Sequence, residues 1–346
     1  MTTFFQLHVL TAYPPANLNR DDTGRPKTAR VGNVDRLRVS SQALKRAWRS
    51  SDAFAEALAG HLGQRTQRLG ETIEGHLIDR GADPATARTA ARAVAERFGK
   101  LKSEGDKKPT HIEQLAFISA DERKAAFALA ERLAAGETVD VDKAPLLRRA
   151  DGAVDVAMFG RMLADSPEFN REAAVQVAHA FTTHRAPVED DYYTAVDDLK
   201  GPQEDAGAGF VGEAGFGSGL FYLYVCIDRD LLVRNLAGDE DLARAGLSAV
   251  VRAVTTVAPR GKQASFASRA RASFGLLERG SEMPRTLAAA FLKPVGGEDV
   301  LETSIARLLS LRESFARAYG DEAETAIMNV PAGEGSLADL IALAVR

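Results

Sequence analysis

Four short runs of β character, set far apart along 346 residues and separated by amphipathic stretches, constrain this chain more than any other feature. Phe4 to Leu10 alternates as a half-buried strand does, and Tyr13-Pro14-Pro15 predicts its end before a loop rich in Asn, Asp, Gly and Arg. A helix is expected from Gln42 to Ala59, opened by Ser40 or Ser41, whose hydroxyl can accept from a free amide of the first turn. Ala153 to Phe159 reads as a second strand, Ala173 to Thr182 as a helix and Leu220 to Ile227 as a third strand. Asp239 to Val257 follows as a helix, Ala272 to Leu277 as a fourth strand and Leu301 to Tyr319 as a further helix. Strand, helix, strand, strand, helix, strand is the ferredoxin-like or RRM-type order of an α+β fold.

Two segments interrupt that order. Residues 61 to 149 are alanine-rich and helical in pattern, broken at Gly81 to Pro84, Ser103 to Asp106 and Gly136 to Thr138, and read as an insertion. Lys100, Lys102, Lys107 and Lys108 within it read as a solvated loop. Residues 186 to 219 hold seven glycines and eight acidic residues with only Lys200 basic, which argues against a compact core there. Tyr192 to Val196 and Phe210-Val211 are placed to form the arms of a projecting hairpin.

The net charge of -4 and pI near 6.0 argue against nucleic acid only if charge is evenly spread. It is not. Nine basic residues against three acidic ones give Arg20 to Arg49 a charge of +6, leaving -10 for the rest. On a helical wheel Gln42, Lys45, Arg46 and Arg49 fall within an arc of about 100°, opposite Leu44, Ala47 and Trp48. A solvated charged face and a phosphate-tracking face both fit; the Arg20, Lys27, Arg36 and Arg38 loop, almost without acidic partners, favours the second. A second basic stretch, Pro259 to Phe266 with Arg269, Arg271 and Phe274, reads equally as a phosphate and base contact or as a surface loop anchored by its phenylalanines.

Other chemistries find little support. The six histidines are scattered, and neither a zinc-protease helix motif nor a nucleophile elbow occurs. Gly207 to Gly212 matches G-x-G-x-x-G, but no strand precedes it and no helix opens from it, so a dinucleotide site is not expected. Asp21-Asp22 with Asp35 could in principle bind a metal and hydrolyse RNA, although the adjacent arginines account for them more simply. The single cysteine, Cys226, excludes a disulfide framework or a cysteine-ligated zinc site. Without a signal-peptide pattern or an 18-residue apolar run, a soluble cytoplasmic protein with no membrane partner is expected.

Leu18-Asn19-Arg20-Asp21-Asp22 and Arg38-Val39-Ser40-Ser41-Gln42-Ala43-Leu44-Lys45-Arg46-Ala47 closely resemble the CasC family, the backbone subunit of type I-E Cascade. His8-Val9-Leu10, Gly160-Arg161-Met162, Ala178 to His184, Thr194 to Leu199, Ser218 to Tyr222 and Gly261-Lys262-Gln263 extend the likeness in family order over most of the chain. The resemblance implies an RRM-like palm (residues 1–59, 151–185 and 220–346), helical fingers (60–150) and a hairpin thumb (186–219). It also implies a non-catalytic protein without cofactor or metal, several copies of which line a CRISPR RNA beside other Cascade subunits, while target DNA pairs with the guide. Relatives in other CRISPR classes cleave RNA from a similar palm, so a metal-dependent ribonuclease is the alternative. By motif position Arg20, Lys27, Ser40, Gln42, Lys45, Arg46, Arg49 and Lys262 would contact the RNA backbone. Met162 would wedge beside a displaced base, with Tyr193, Thr194 and Val211 on the thumb surface there. The acidic thumb, Asp197 and Asp198 included, is expected to meet the Arg20 to Arg49 region of a neighbouring copy.

Overall fold

The computed structural model describes residues 2–195 and 210–346. Its first strand, β1 (Phe4–Ala16), outruns the predicted stop. The pairing register shifts between Tyr13 and Ala16, so Pro14 and Pro15, which lack N–H groups, sit in a bulge and the chain stays extended through them. The expected loop beyond holds a hairpin, β2 (Thr28–Val31) and β3 (Val34–Val39), turned at Gly32 and Asn33 with φ of 60° and 64°. Positive φ at both central residues is the tight-hairpin signature that a Gly-Asn pair supplies. The predicted long helix is two: α1 (Ser41–Arg49) and α2 (Asp52–Ala57), each capped by a serine hydroxyl.

The insertion comprises β4 (Gln64–Thr66), α3 (Leu69–Asp79), α4 (Pro84–Glu96), β5 (Ala116–Ile118) and α5 (Ala120–Ala134). Its helices stop near the predicted breaks and enclose an apolar core of their own, with Ile73, Leu77, Ala91, Val94, Ile112 and Leu129 among its members. The small β4–β5 ladder was not expected.

Two elements are the reverse of the sequence expectation. Ala153 to Phe159, read as a strand, is a short helix α6 (Val154–Phe159) with all but its last residue buried. Ala173 to Thr182, read as a helix from its alanines, is a broken strand, β6 (Val175–Val177) and β7 (Ala180–Thr182), hydrogen-bonded to the next long strand. Helix propensity differs by only tenths of a kcal/mol between ordinary residues, and cross-strand pairing in a buried sheet overrides it. Phe210 to Gly219 lengthen the expected third strand: β8 (Glu189–Ala195) pairs with β9 (Phe210–Asp228), which then enters the central sheet.

The chain continues through α7 (Arg229–Asn235), α8 (Glu240–Thr256), the single turn α9 (Gln263–Phe266), β10 (Phe274–Gly280), α10 (Val300–Tyr319), β11 (Glu324–Asn329), β12 (Glu334–Gly335) and α11 (Leu337–Ala344). The antiparallel sheet runs β12-β11-β10-β1-β9-β7-β3-β2, with β6 also on β9. Within it β10-β1-β9-β6/β7, crossed over by α1–α2 and α8, is the ferredoxin-like arrangement, its second strand being the segment read as a helix. Phe5, Leu7 and Val9 of β1 point into the core with α1 and α8, while Leu10 points the other way, toward Leu308 of α10. On that second face Glu278 sits 3.2 Å from His8, 2.6 Å from Arg285 and 2.9 Å from Arg312, fastening α10 to the sheet. No helix among the described residues is long and apolar enough to cross a membrane.

Candidate nucleic-acid interface

Helix α1 divides as its wheel predicts. Leu44, Ala47 and Trp48 are buried, and Gln42 and Arg46 are exposed. Lys45 is half-buried with Nζ 5.9 Å from the centre of the Phe159 ring, and burial pulls its pKa below the ordinary lysine value. Among the described residues no carboxylate lies within ion-pair distance of Arg20, Lys45 or Arg46. Ser40 is different from its neighbours. Its Oγ accepts from Ala43 N–H at 3.3 Å and its own N–H donates to Asn19 Oδ1 at 2.9 Å, so it caps the helix and ties it to the preceding loop.

Arg49 shares the face by angle but is bonded within the chain. Its guanidinium lies 3.1 Å from Asp155 and stacks 4.2 Å from the Phe117 ring, joining α1 to α6 and β5. Burial raises the Asp155 pKa, against the opposing pull of Gly63 N–H and Arg49. Arg36, counted with the basic loop, is fully buried and donates to the carbonyls of Thr182 at 2.8 Å and Phe291 at 2.9 Å. The +6 of the segment therefore overstates what faces solvent.

The loop before α1 is built on its own polar atoms. Asp21 Oδ1 accepts from Thr23 Oγ1 at 2.8 Å and from the N–H groups of Thr23 and Arg25 at 3.0 Å each, and these bonds hold its carboxyl below the usual range. Lys27 is fixed through its backbone, donating to Asn19 and accepting from Arg38, both at 2.8 Å. Arg38 donates to His179 Nδ1 at 2.6 Å, and burial together with Arg38 and Lys27 pushes the His179 pKa down, which favours the neutral ring that can accept this bond.

The parts meet at an open groove of about 870 Å³ between Leu18–Asp22, the Arg46 side of α1 and the 259–261 loop. A Cβ at Gly261 would lie 2.2 Å from the Leu18 carbonyl, so only glycine lets the two loops touch. Arg260 donates to the Ser50 carbonyl across the groove. Lys262 follows in the left-handed region with φ of 44°. Phe266 packs 6.2 Å from Phe216 and Phe274 is fully buried, so the aromatics of this stretch are anchors. Arg20, Arg46 and Arg260 are thus gathered around one groove, with Lys262 next to its rim residue Gly261 and Gln42 and Lys45 on the same helix as Arg46. Asn19, which positions both Ser40 and Lys27, stands in the Leu18 to Asp22 motif but is not among the expected contact residues; its place in that motif is the one signal that marks it.

The second part of the site is the Gly160-Arg161-Met162 turn. Gly160 takes φ of 79°. Arg161 is then buried against Glu122 at 2.6 Å, and Arg171, paired with it backbone to backbone, is buried against Asp151 at 2.7 Å. Both guanidinium groups also donate to the Arg148 carbonyl. Next to this clamp Met162 is 77% exposed. Packing into the core is therefore not its role.

On the hairpin Tyr193 pairs with Gly212 and Thr194 with Val211, while Tyr192, Tyr193 and Thr194 are exposed. The rest of the Thr194 to Leu199 motif, Asp197 and Asp198 included, and Gly207 to Gly209 of the glycine-rich run lie outside the described residues. Asp190 pairs with Arg25 of the same chain at 2.8 Å, and Asn17 donates to the Gly215 carbonyl at 2.9 Å, so the root of the hairpin rests on the basic loop. No group of three or more His, Cys, Asp or Glu side chains is placed to hold a metal among the described residues.

Comparison with known proteins puts this arrangement in context. The family model described as CT1975-like protein matches residues 5–342. A solved structure described as a CRISPR RNA-guided surveillance complex, pre-nicking, superposes with a TM-score of 0.87 at 31% identity over 99% of each chain. Another, described as a CRISPR RNA-guided surveillance complex, gives 0.63 at 25% identity over 99% of this chain and 98% of the other. No curated protein matches. The family match over nearly the whole chain, with a fold that agrees at this identity from end to end, makes the chain a member of the CT1975-like, CasC-type family.

Proposed function

We propose that this protein is the repeated, non-catalytic backbone subunit of a type I-E Cascade complex. It would bind CRISPR RNA by its phosphates, oligomerise along it beside other Cascade subunits in the cytoplasm, and displace bases at intervals so that the remainder pairs with target DNA. One observation carries the reading: Arg20 and Arg46, cations without carboxylate partners among the described residues, border a groove open enough to take a nucleic-acid backbone, with Lys45 on the same helix as Arg46. Arginine and lysine on such a surface fix a strand in place without reading its sequence.

The test is the salt dependence of CRISPR RNA binding. The log-log slope should be steep, and Lys45→Ala or Arg46→Ala should reduce it by up to about 0.7 each, the single-strand value per phosphate contact. A flat dependence, or slopes untouched by both variants, would remove α1 from the RNA. Incubation with single-stranded RNA and magnesium should leave the RNA intact; cleavage by the wild-type protein would favour the ribonuclease alternative.

A further inference from the structure

Lys27, Arg38 and His179 come together on the other face of the sheet from α1, and none of them lines the groove described above. Along β3, Leu37 and Val39 enter the core shared with α1, whereas Arg36 reaches the Phe291 carbonyl on the far face. Side chains alternate along a strand, so Arg38 shares the side of Arg36. Its Nη1 donates to His179 Nδ1 at 2.6 Å and its Nε to the Thr28 carbonyl at 3.2 Å.

All three residues are partly exposed. Among the described residues, Arg38 of β3 and Lys27, just before β2, are the charges that act on the His179 ring, and neither has a carboxylate partner. Two cations and an imidazole open to solvent suit an anion. Asn19 connects them to the groove, which it lines: its carbonyl accepts from Lys27 N–H at 2.8 Å and its Oδ1 from Ser40 N–H at 2.9 Å. A strand that leaves the groove past the start of α1 meets this cluster next.

The Arg38 bond fixes the chemistry of the ring. Nδ1 gives its lone pair to Arg38, so the one ring proton sits on Nε2. A proton on Nδ1 would remove that acceptor and set imidazolium against guanidinium, and burial adds to this in holding the His179 pKa below 6.5. A phosphate reverses these conditions. It accepts from Arg38 more strongly than a neutral imidazole does, it frees Nδ1, and its charge favours imidazolium. We propose that guide-RNA binding takes up a proton from solvent at His179: Arg38 passes its hydrogen bond from Nδ1 to a phosphate oxygen, Nδ1 is protonated, and the imidazolium becomes a further donor to that phosphate. The inference rests on the guide-RNA reading above and adds to it a dependence on pH.

The test uses the full chain and a CRISPR RNA without terminal phosphates, whose diester groups do not titrate near neutrality. At fixed salt, affinity should rise several-fold from pH 8 to pH 6, by at most about tenfold per pH unit for one proton per site. Calorimetry in buffers of different ionisation enthalpy should show proton uptake on binding. His179→Gln, whose amide can still accept from Arg38, should lose most of both effects. Wild-type binding that ignores pH and takes up no proton overturns the proposal, and if its salt slope still responds to Lys45→Ala the guide-RNA reading stands. A pH dependence undiminished in His179→Gln overturns it as well. Failure of the wild-type protein to bind RNA overturns both.

Discussion

The junction around Arg161 and the outer face of α1 both concentrate cations, and they differ in where the opposing charge sits. At the junction Glu122 and Asp151 lie within hydrogen-bond distance of Arg161 and Arg171, and all four side chains are removed from water. On α1 the charges of Lys45 and Arg46 have no such partner among the described residues, and Arg46 is exposed. A buried pair fixes geometry because either member alone would be a costly unpaired charge. An unpaired surface cation fixes nothing and leaves a counter-charge to be supplied from outside. Arg49 lies between the two cases, on the helix of one and bonded to the junction side of the other.

The largest effect should come from breaking the junction. Glu122→Ala strands Arg161 in the interior, and unfolding in urea should show a loss of about 3–5 kcal/mol. Arg49→Ala comes next. It deprives buried Asp155 of its cation, and a double-mutant cycle with Asp155→Asn should give a coupling of about 0.5–3 kcal/mol. If Arg49→Ala instead leaves stability alone and lowers the RNA salt slope as Lys45→Ala does, Arg49 belongs with the surface cations.

A pH titration sharpens the contrast between buried and exposed charge. Burial alone would raise the Glu278 pKa, but the bonds from His8 and Arg285 override it and hold the carboxyl well below its ordinary 4.5. The folded state therefore gains stability from this group above pH 4.5 and loses it as pH falls below that value toward the depressed one. His8, whose pKa burial lowers from 6.5, takes up a proton less readily when folded, so stability also declines as pH drops below 6.5 and the unfolded chain takes up that proton. Glu278→Gln should flatten the acid limb in thermal melts. The smallest stability effect should belong to Arg46→Ala, within about 0.5 kcal/mol of wild type. A larger loss would mean that Arg46 has an internal partner after all.

Much of this was legible beforehand, and the failures share one cause. The amphipathic face of α1, the Ser40 cap, the helical insertion, and the positions of α8, β10 and α10 follow from local pattern and chain order. The exchange of strand and helix at 153–159 and 173–182 does not, because both segments are short and apolar enough for either state. Contact with β9, far along the chain, selects the strand at Val175 to Thr182. The Gly32-Asn33 turn is a hairpin signal set within a loop whose composition is dominated by its charges.

The sequence by itself determined which residue types are available where: a basic stretch in an acidic chain, a helix with one cationic side, an exposed acidic strand in the hairpin, and the motifs that place the chain in its family. Only the tertiary structure decided which cations are free. Arg36, Arg161 and Arg171 are buried and bonded, Arg49 is bound to Asp155, and Arg20, Lys45 and Arg46 are left without a carboxylate partner among the described residues. The physical reason is that a charge is neutralised by what lies a few ångströms away in space, and for these arginines that neighbour is dozens to more than a hundred residues away in sequence.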